Sequence, residues 1–292
     1  MNWSSYTLKH FCSRISRYIL LDKQLIDFNN IAINRPDMKG EHDVFNRVMP
    51  RDHIAVLTFF ENRQTGSRLI VVNAHVFWDP NFIDVKVIQV AIMMDQITKA
   101  AEKYAKWPAC TDKTLFKYTE DKDEDETPSE PPPKPAPSMS YTDGAQIPLL
   151  ICGDFNSVPG SSIYDLFLHG SLAGSHADLG NRKYGNFTKE GASHPFSLKS
   201  SYSHIGELDF TNYTPGYIEV IDYIWYSSNS LSVTGLLGNV DKQYLKRVPG
   251  FPNYHFPSDH LPLLAEFAVQ PRKGKVTLPE PDFGPQSQSR RP

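Results

Sequence analysis

The chain has 292 residues, with 30 basic and 33 acidic side chains and a formal charge of −3. That length allows one large domain or two small ones, and 40% hydrophobic with 12% aromatic residues argues for a core rather than wholesale disorder. The charge balance excludes a generic basic nucleic-acid coat; no stretch approaches the roughly 18 apolar residues of a membrane span, and the first residues lack an apolar run of signal-peptide length.

Elements follow in chain order. Residues 54–60 and 68–72 are β-branched and apolar, separated by ENRQTGS, and predict a hairpin. Asp84 opens an amphipathic pattern through Val87, Ile88, Ala91, Ile92, Met94, Ala101 and Tyr104; it is the expected helix N-cap, and Pro108 marks the stop. The runs TEDKDEDE (119–126) and TPSEPPPKPAP (127–137) cannot bury apolar surface, so 109–145 is expected to be a disordered insertion within one domain. Residues 147–152 form a short apolar strand. Ser161 or Ser162 caps a brief helix, and 218–226 and 263–269 are further strands. Residues 271–292 read as a loose tail and 1–17 as a divergent leading segment. Cys12, Cys110 and Cys152 lack ligand spacing and are read as free thiols, with Cys152 buried in its strand.

Polar residues cluster where strands end. Asp154 and Asn156, two apart in GDFNS after an apolar strand, share one face. A carboxylate beside an amide oxygen suits a hard cation such as Mg²⁺, or a hydrogen bond to a phosphate or base; the alternative is a plain turn. Asp259 and His260 are adjacent in SDH, so one can face a metal and the other a scissile group. Asn73 and His75 alternate at another strand end. Asp222 lies inside the apolar run IEVIDYIWY, where a carboxylate must be paired, and His260 is the natural partner for an oriented general base. Phe77 and Trp78 are read as core residues, the alternative being rings that stack a base.

In this order, the N-x-H, GDFNS, apolar-embedded Asp222 and SDH units resemble the endonuclease/exonuclease/phosphatase superfamily, which has the deoxyribonuclease-I-like fold. Within it, YILLDKQLIDFN, RVMPRDHIAV, FFENRQTGSRLIVVNAHVFWDP, DVKVIQVAIMMDQI, LLICGDFNSVPGSSIYDLF and SDHLPLLAEF are similar to fungal carbon-catabolite-repressor poly(A) deadenylases over about residues 18–270. The resemblance implies an α/β two-sheet sandwich flanked by helices. It implies an exoribonuclease that shortens mRNA poly(A) tails from the 3′ end, uses one or two Mg²⁺ ions and releases 5′-AMP, in cytoplasm and nucleus. By resemblance, Asp154, Asn156 and Asp259 hold metal, His260 is the catalytic histidine oriented by Asp222, and His75 contacts the scissile phosphate. Pro80 and Tyr217 sandwich adenine, with Asn156 and Asn73 as further substrate contacts.

The chain departs from that family at its beginning. The family domain starts earlier, with a strand carrying an asparagine and another ending in a Leu-Gln-Glu unit whose glutamate binds Mg²⁺. Neither occurs here, and Glu41 and Glu61 stand in the wrong context. The leucine-rich repeats that dock the other deadenylase-complex subunits are also absent. The isolated chain is therefore expected to have an uncovered apolar sheet face, low stability and little activity. Another phosphodiesterase or phosphatase of the same fold, or an inactive fragment that binds RNA or protein, are the competing expectations.

Overall fold

Alternation of burial is clearest along the third strand of the main sheet of the protein, a computed structural model that describes residues 17–113 and 134–270. Strand β1 (Tyr18–Asp27) pairs antiparallel with β2 (Ile54–Asn62), and β2 with β3 (Arg68–His75). Ala55, Leu57 and Phe59 on β2 face Ala74, Val72 and Ile70 on β3, and all six side chains are buried on one face. The expected 54–60/68–72 hairpin is present and longer. β4 (Leu149–Asp154) lies parallel to β3, so the chain must cross over between them. Helix α2 (Ile83–Ala105) makes that crossing, its Val85, Ile88, Ile92 and Ile97 buried in the core. A shorter helix, α1 (Phe28–Asn34), precedes it.

The sheet is completed by β5 (Leu198–Ser200) and β6 (Asp222–Ser227), in the order β1-β2-β3-β4-β6-β5. Helix α3 (Ser162–His169) stacks Phe167 on Trp225 of β6 at 4.8 Å between ring centres. β7 (Leu231–Leu236) and β8 (Ala265–Val269) form a separate antiparallel pair, which meets the main sheet through Phe267 against Tyr226. The class is α/β, mixed sheets flanked by helices, as expected. Among the described residues no helix is long and apolar enough to cross a membrane.

Four local expectations need correction. The helix begins at Ile83 with Phe82 as its cap residue; Asp84 does not cap it but receives Arg47 Nε and Nη2, both at 2.7 Å, and the Tyr184 hydroxyl. The long strand at 218–226 is two pieces, Tyr217–Glu219 and β6. The break comes where the Thr211 hydroxyl takes the Ile221 and Asp222 N–H groups and Phe155 N–H takes the Ile221 carbonyl. The disordered stretch drawn at 109–145 is too wide. Its described flanks are tied down: Lys113 and Ser138 reach Glu61, Ala136 N–H bonds Gln64 O, and Tyr141 is buried. The acidic run and most of the prolines fall outside the described residues, as do the tail at 271–292 and the first sixteen residues. Ser161 caps α3, its Oγ accepting Tyr164 N–H. Cys152 is a free cysteine, only half-buried rather than fully so.

Candidate active site

Strand register assembles the site. His75 and Asp154 are direct partners across the parallel β3–β4 pair, and Asp154 and Asp222 across the antiparallel β4–β6 pair. Partners in register point to the same face, so three residues far apart in sequence stand side by side in one row. Gly153 permits this close approach: a Cβ there would lie 1.9 Å from Ala74 O, so only glycine fits where β3 and β4 meet. Beyond the row the chain turns sharply. Asn156 N–H bonds Asp154 Oδ1 at 2.8 Å, and Asn156 adopts φ 47°, a left-handed conformation asparagine tolerates better than other side chains.

SDH reaches the same row from the opposite end of the chain. His260 bridges Asn212, and Tyr213 N–H and Thr211 O bond Asp259 and Leu261 on either side of it. His260 Nδ1 then lies 2.8 Å from Asp222 Oδ2, which also accepts the Thr211 hydroxyl at 2.7 Å. Asp222 is thus paired as its apolar strand requires, and the ring is oriented with Nε2 left over. Asp259 Oδ2 accepts from Asn212 Nδ2. His75, with its side chain largely exposed, has Nε2 3.6 Å from Asp154 Oδ2.

His75, Asp154, Asn156, Asp259 and His260 line one open cleft of about 490 Å³, with Trp78, Pro80, Lys86, Asn212, Tyr217 and Ile221, while Asp222 holds His260 from outside that lining. Asn73 is the expected substrate contact that stays outside the cleft. It faces the same way as His75 one pair earlier, opposite Cys152, and is not part of the lining. Trp78 is not a core residue: Phe77 is buried, whereas the Trp78 indole is 63% exposed at the cleft. Glu61, rejected on context, is buried at the far end of β2 against Arg68. No glutamate is among the cleft-lining residues.

Charge is concentrated here. Burial first, and then the facing Asp222 carboxylate, push the Asp154 pKa up to about 7. The hydrogen bond to Asp222 raises His260 to about 9. Ligand atoms of Asp154, Asp222 and His260 lie within 4.8 Å of one another, a group able to hold a metal ion. Asp222 and His260 are engaged with each other, so the available donors are Asp154, Asn156 and Asp259. Asn156 Nδ2 donates to Val76 O at 2.9 Å, and its Oδ1 has no hydrogen bond among the described residues. Carboxylate and amide oxygens of this kind fit a hard divalent cation. Asp259 lines the cleft but stands outside the tight group.

Sequence reasoning missed Trp78's exposure and the roles of Thr211, Asn212 and Lys86. Lys86 carried a weak signal, a lysine set between Val85 and Val87 at the start of α2.

The Endonuclease/Exonuclease/phosphatase family model matches residues 106–260, more than half of the chain, and the chain belongs to that family. A 270-residue stretch is 61% identical to the "CCR4-Not complex 3′-5′-exoribonuclease subunit Ccr4" of Phaeosphaeria nodorum, covering 92% of this chain and 45% of that one. The protein of the same description from Neosartorya fischeri is 62% identical over 273 residues, 94% of this chain and 36% of its own length. The chain therefore spans less than half the length of these relatives. The crystal structure of ANGEL2, a 2′,3′-cyclic phosphatase, in complex with adenosine-2′,3′-vanadate aligns with a TM-score of 0.58 at 24% identity, covering 86% of this chain and 68% of that one. That likeness supports the α/β fold.

Proposed function

We propose that the chain is the catalytic part of a Mg²⁺-dependent 3′-5′ exoribonuclease that removes 5′-AMP from poly(A). The observation that carries this reading is the convergence of Asp154, Asn156, Asp222, Asp259, His260 and His75 around one cleft with Trp78, Pro80 and Tyr217 in its lining. The 61% identity to a protein described as a 3′-5′-exoribonuclease subunit supports it.

Asp154, Asn156 and Asp259 would hold the cation. When bound, Mg²⁺ would supply positive charge that polarises the phosphoryl oxygen, acidifies the attacking water, and favours the ionised Asp154 carboxylate and the neutral His260 imidazole. His260 Nε2 takes the proton of that water, while Asp222 holds Nδ1 and stabilises the imidazolium that forms. His75 meets a phosphate oxygen beside Asp154. Tyr217 and Pro80 stack the terminal base, a contact worth about 1–3 kcal/mol per base. Stacking on single-stranded RNA needs no basic surface, in keeping with a net charge of −3. Because these relatives are subunits of the CCR4-Not complex, the reading extends to other subunits of that complex as partners.

A second reading, RNA binding without cleavage, is favoured by the cleft's lack of a glutamate. One assay separates the two. Purified chain is incubated with 5′-labelled oligo(A), oligo(C) and oligo(U), with Mg²⁺ or EDTA. The exoribonuclease reading expects slow, stepwise, Mg²⁺-dependent shortening of oligo(A) ahead of the others. Tight oligo(A) binding with no shortening favours the second.

A further inference from the structure

The amine of Lys86 is a charge that the chemistry described so far does not use. Lys86 lies in the first turn of α2, is 5% exposed and lines the cleft. It makes one hydrogen bond, 2.8 Å to Asn156 O. No carboxylate oxygen lies within ion-pairing distance among the described residues, whereas the buried Arg68 is paired with Glu61. An ammonium has three N–H donors, so two remain, beside Asp154 and His75. Asp154 and Asp79 attract this ammonium only from beyond ion-pairing distance, and a nearly buried charge without a contact anion is costly.

The bond to Asn156 O also matters locally. That carbonyl belongs to the residue in the left-handed conformation, so Lys86 braces the turn presenting Asp154 and Asn156. A phosphate entering beside that turn meets a preformed donor at no cost in reorganisation.

We propose that Lys86 is a phosphate-binding residue: its ammonium takes a non-bridging phosphate oxygen of the substrate while its third N–H holds Asn156 O. Its assignment to an RNA phosphate rests on the exoribonuclease reading; its affinity for phosphate does not.

The test compares wild type with Lys86→Met, which keeps the stem and removes the charge, and Lys86→Arg, which keeps the charge. Binding of inorganic phosphate, 5′-AMP and fluorescent oligo(A) is measured in Mg²⁺ over a salt series, and far-ultraviolet circular dichroism checks the fold. Lys86→Gln replaces Lys86→Met if the latter does not fold. Lys86→Met is expected to weaken phosphate and 5′-AMP about tenfold and to lower the salt slope for oligo(A) by about 0.7, the contribution of one neutralised phosphate on a single strand. Lys86→Arg recovers the slope. A brace for the turn alone would leave the slope unchanged, and that result overturns the proposal. If wild type binds inorganic phosphate through Lys86 but not oligo(A), the proposal stands and the exoribonuclease reading falls. If wild type binds none of the three, the proposal falls.

Discussion

Two carboxylates on the main sheet meet opposite fates. Glu61, at one end of β2, is fully buried and has every oxygen engaged: Oε2 by Arg68 at 3.0 Å, Oε1 by Ser138 at 2.6 Å and Lys113 at 3.0 Å. Burial alone would raise its pKa, yet the bonds from Ser138, Lys113 and Arg68 outweigh that and hold it below the usual carboxylate range. Asp154, at the other end of the sheet, is also shielded from water; burial and the facing Asp222 carboxylate outweigh the pull of His260 and Lys86, and its pKa is pushed up to about 7. Cations neutralise the first carboxylate internally; the second awaits a cation from outside. The first arrangement ties the flanks of the 109–145 segment to the sheet, and the second is what a metal-dependent site requires.

The difference can be broken by substitution. His260→Ala should lower RNA shortening by about a hundredfold to ten-thousandfold, the range for removing a general base, without changing the melting temperature much. Glu61→Ala should do the reverse. Removing one partner of a buried pair costs about 3–5 kcal/mol, so thermal unfolding should shift down strongly while oligo(A) binding to the surviving folded protein is kept. If Glu61→Ala abolished RNA binding in folded protein, the two regions would not be separable.

Much of the site was legible in sequence because its residues sit at strand ends, where a polar residue breaks an apolar run. Asp154, Asn156, Asp222, Asp259 and His260 stood out in this way, and resemblance set them in order. The limits were equally physical. Asn73 shares alternation with His75, but which pair reaches the cleft is decided by register with β4, a long-range fact. Thr211 and Asn212 lie in a segment with no periodicity and act through contacts to Asp222 and Asp259. Asp84 looked like a cap because its partners, Arg47 and Tyr184, are remote in sequence. Trp78 and Phe77 are adjacent, and composition alone could not say which would point outward.

Smaller effects sharpen the contrast. Trp78→Ala and Tyr217→Ala should each weaken oligo(A) binding by about 1–3 kcal/mol if the ring stacks a base, with little effect on inorganic phosphate; equal weakening of both ligands would place the ring outside the base path. Removing like-charge repulsion by Asp154→Asn should stabilise the metal-free chain at pH 8 by about 0.5–2 kcal/mol, measured by urea unfolding in EDTA. Acid should act through Glu61 with the opposite sign. Its folded pKa is depressed, so its stabilisation is present above the ordinary value of 4.5 and is lost as pH falls through the lower folded value. Glu61→Gln should flatten the acid limb of the stability profile; an unchanged limb would assign acid sensitivity to other carboxylates.

Product analysis tests the central claim most directly: high-resolution chromatography of what wild type and His260→Ala release from oligo(A) with Mg²⁺. Wild type should release 5′-AMP one nucleotide at a time, and His260→Ala should release almost none. Equal release by both proteins, or release by wild type that persists in EDTA, would contradict the assignment of the cleft.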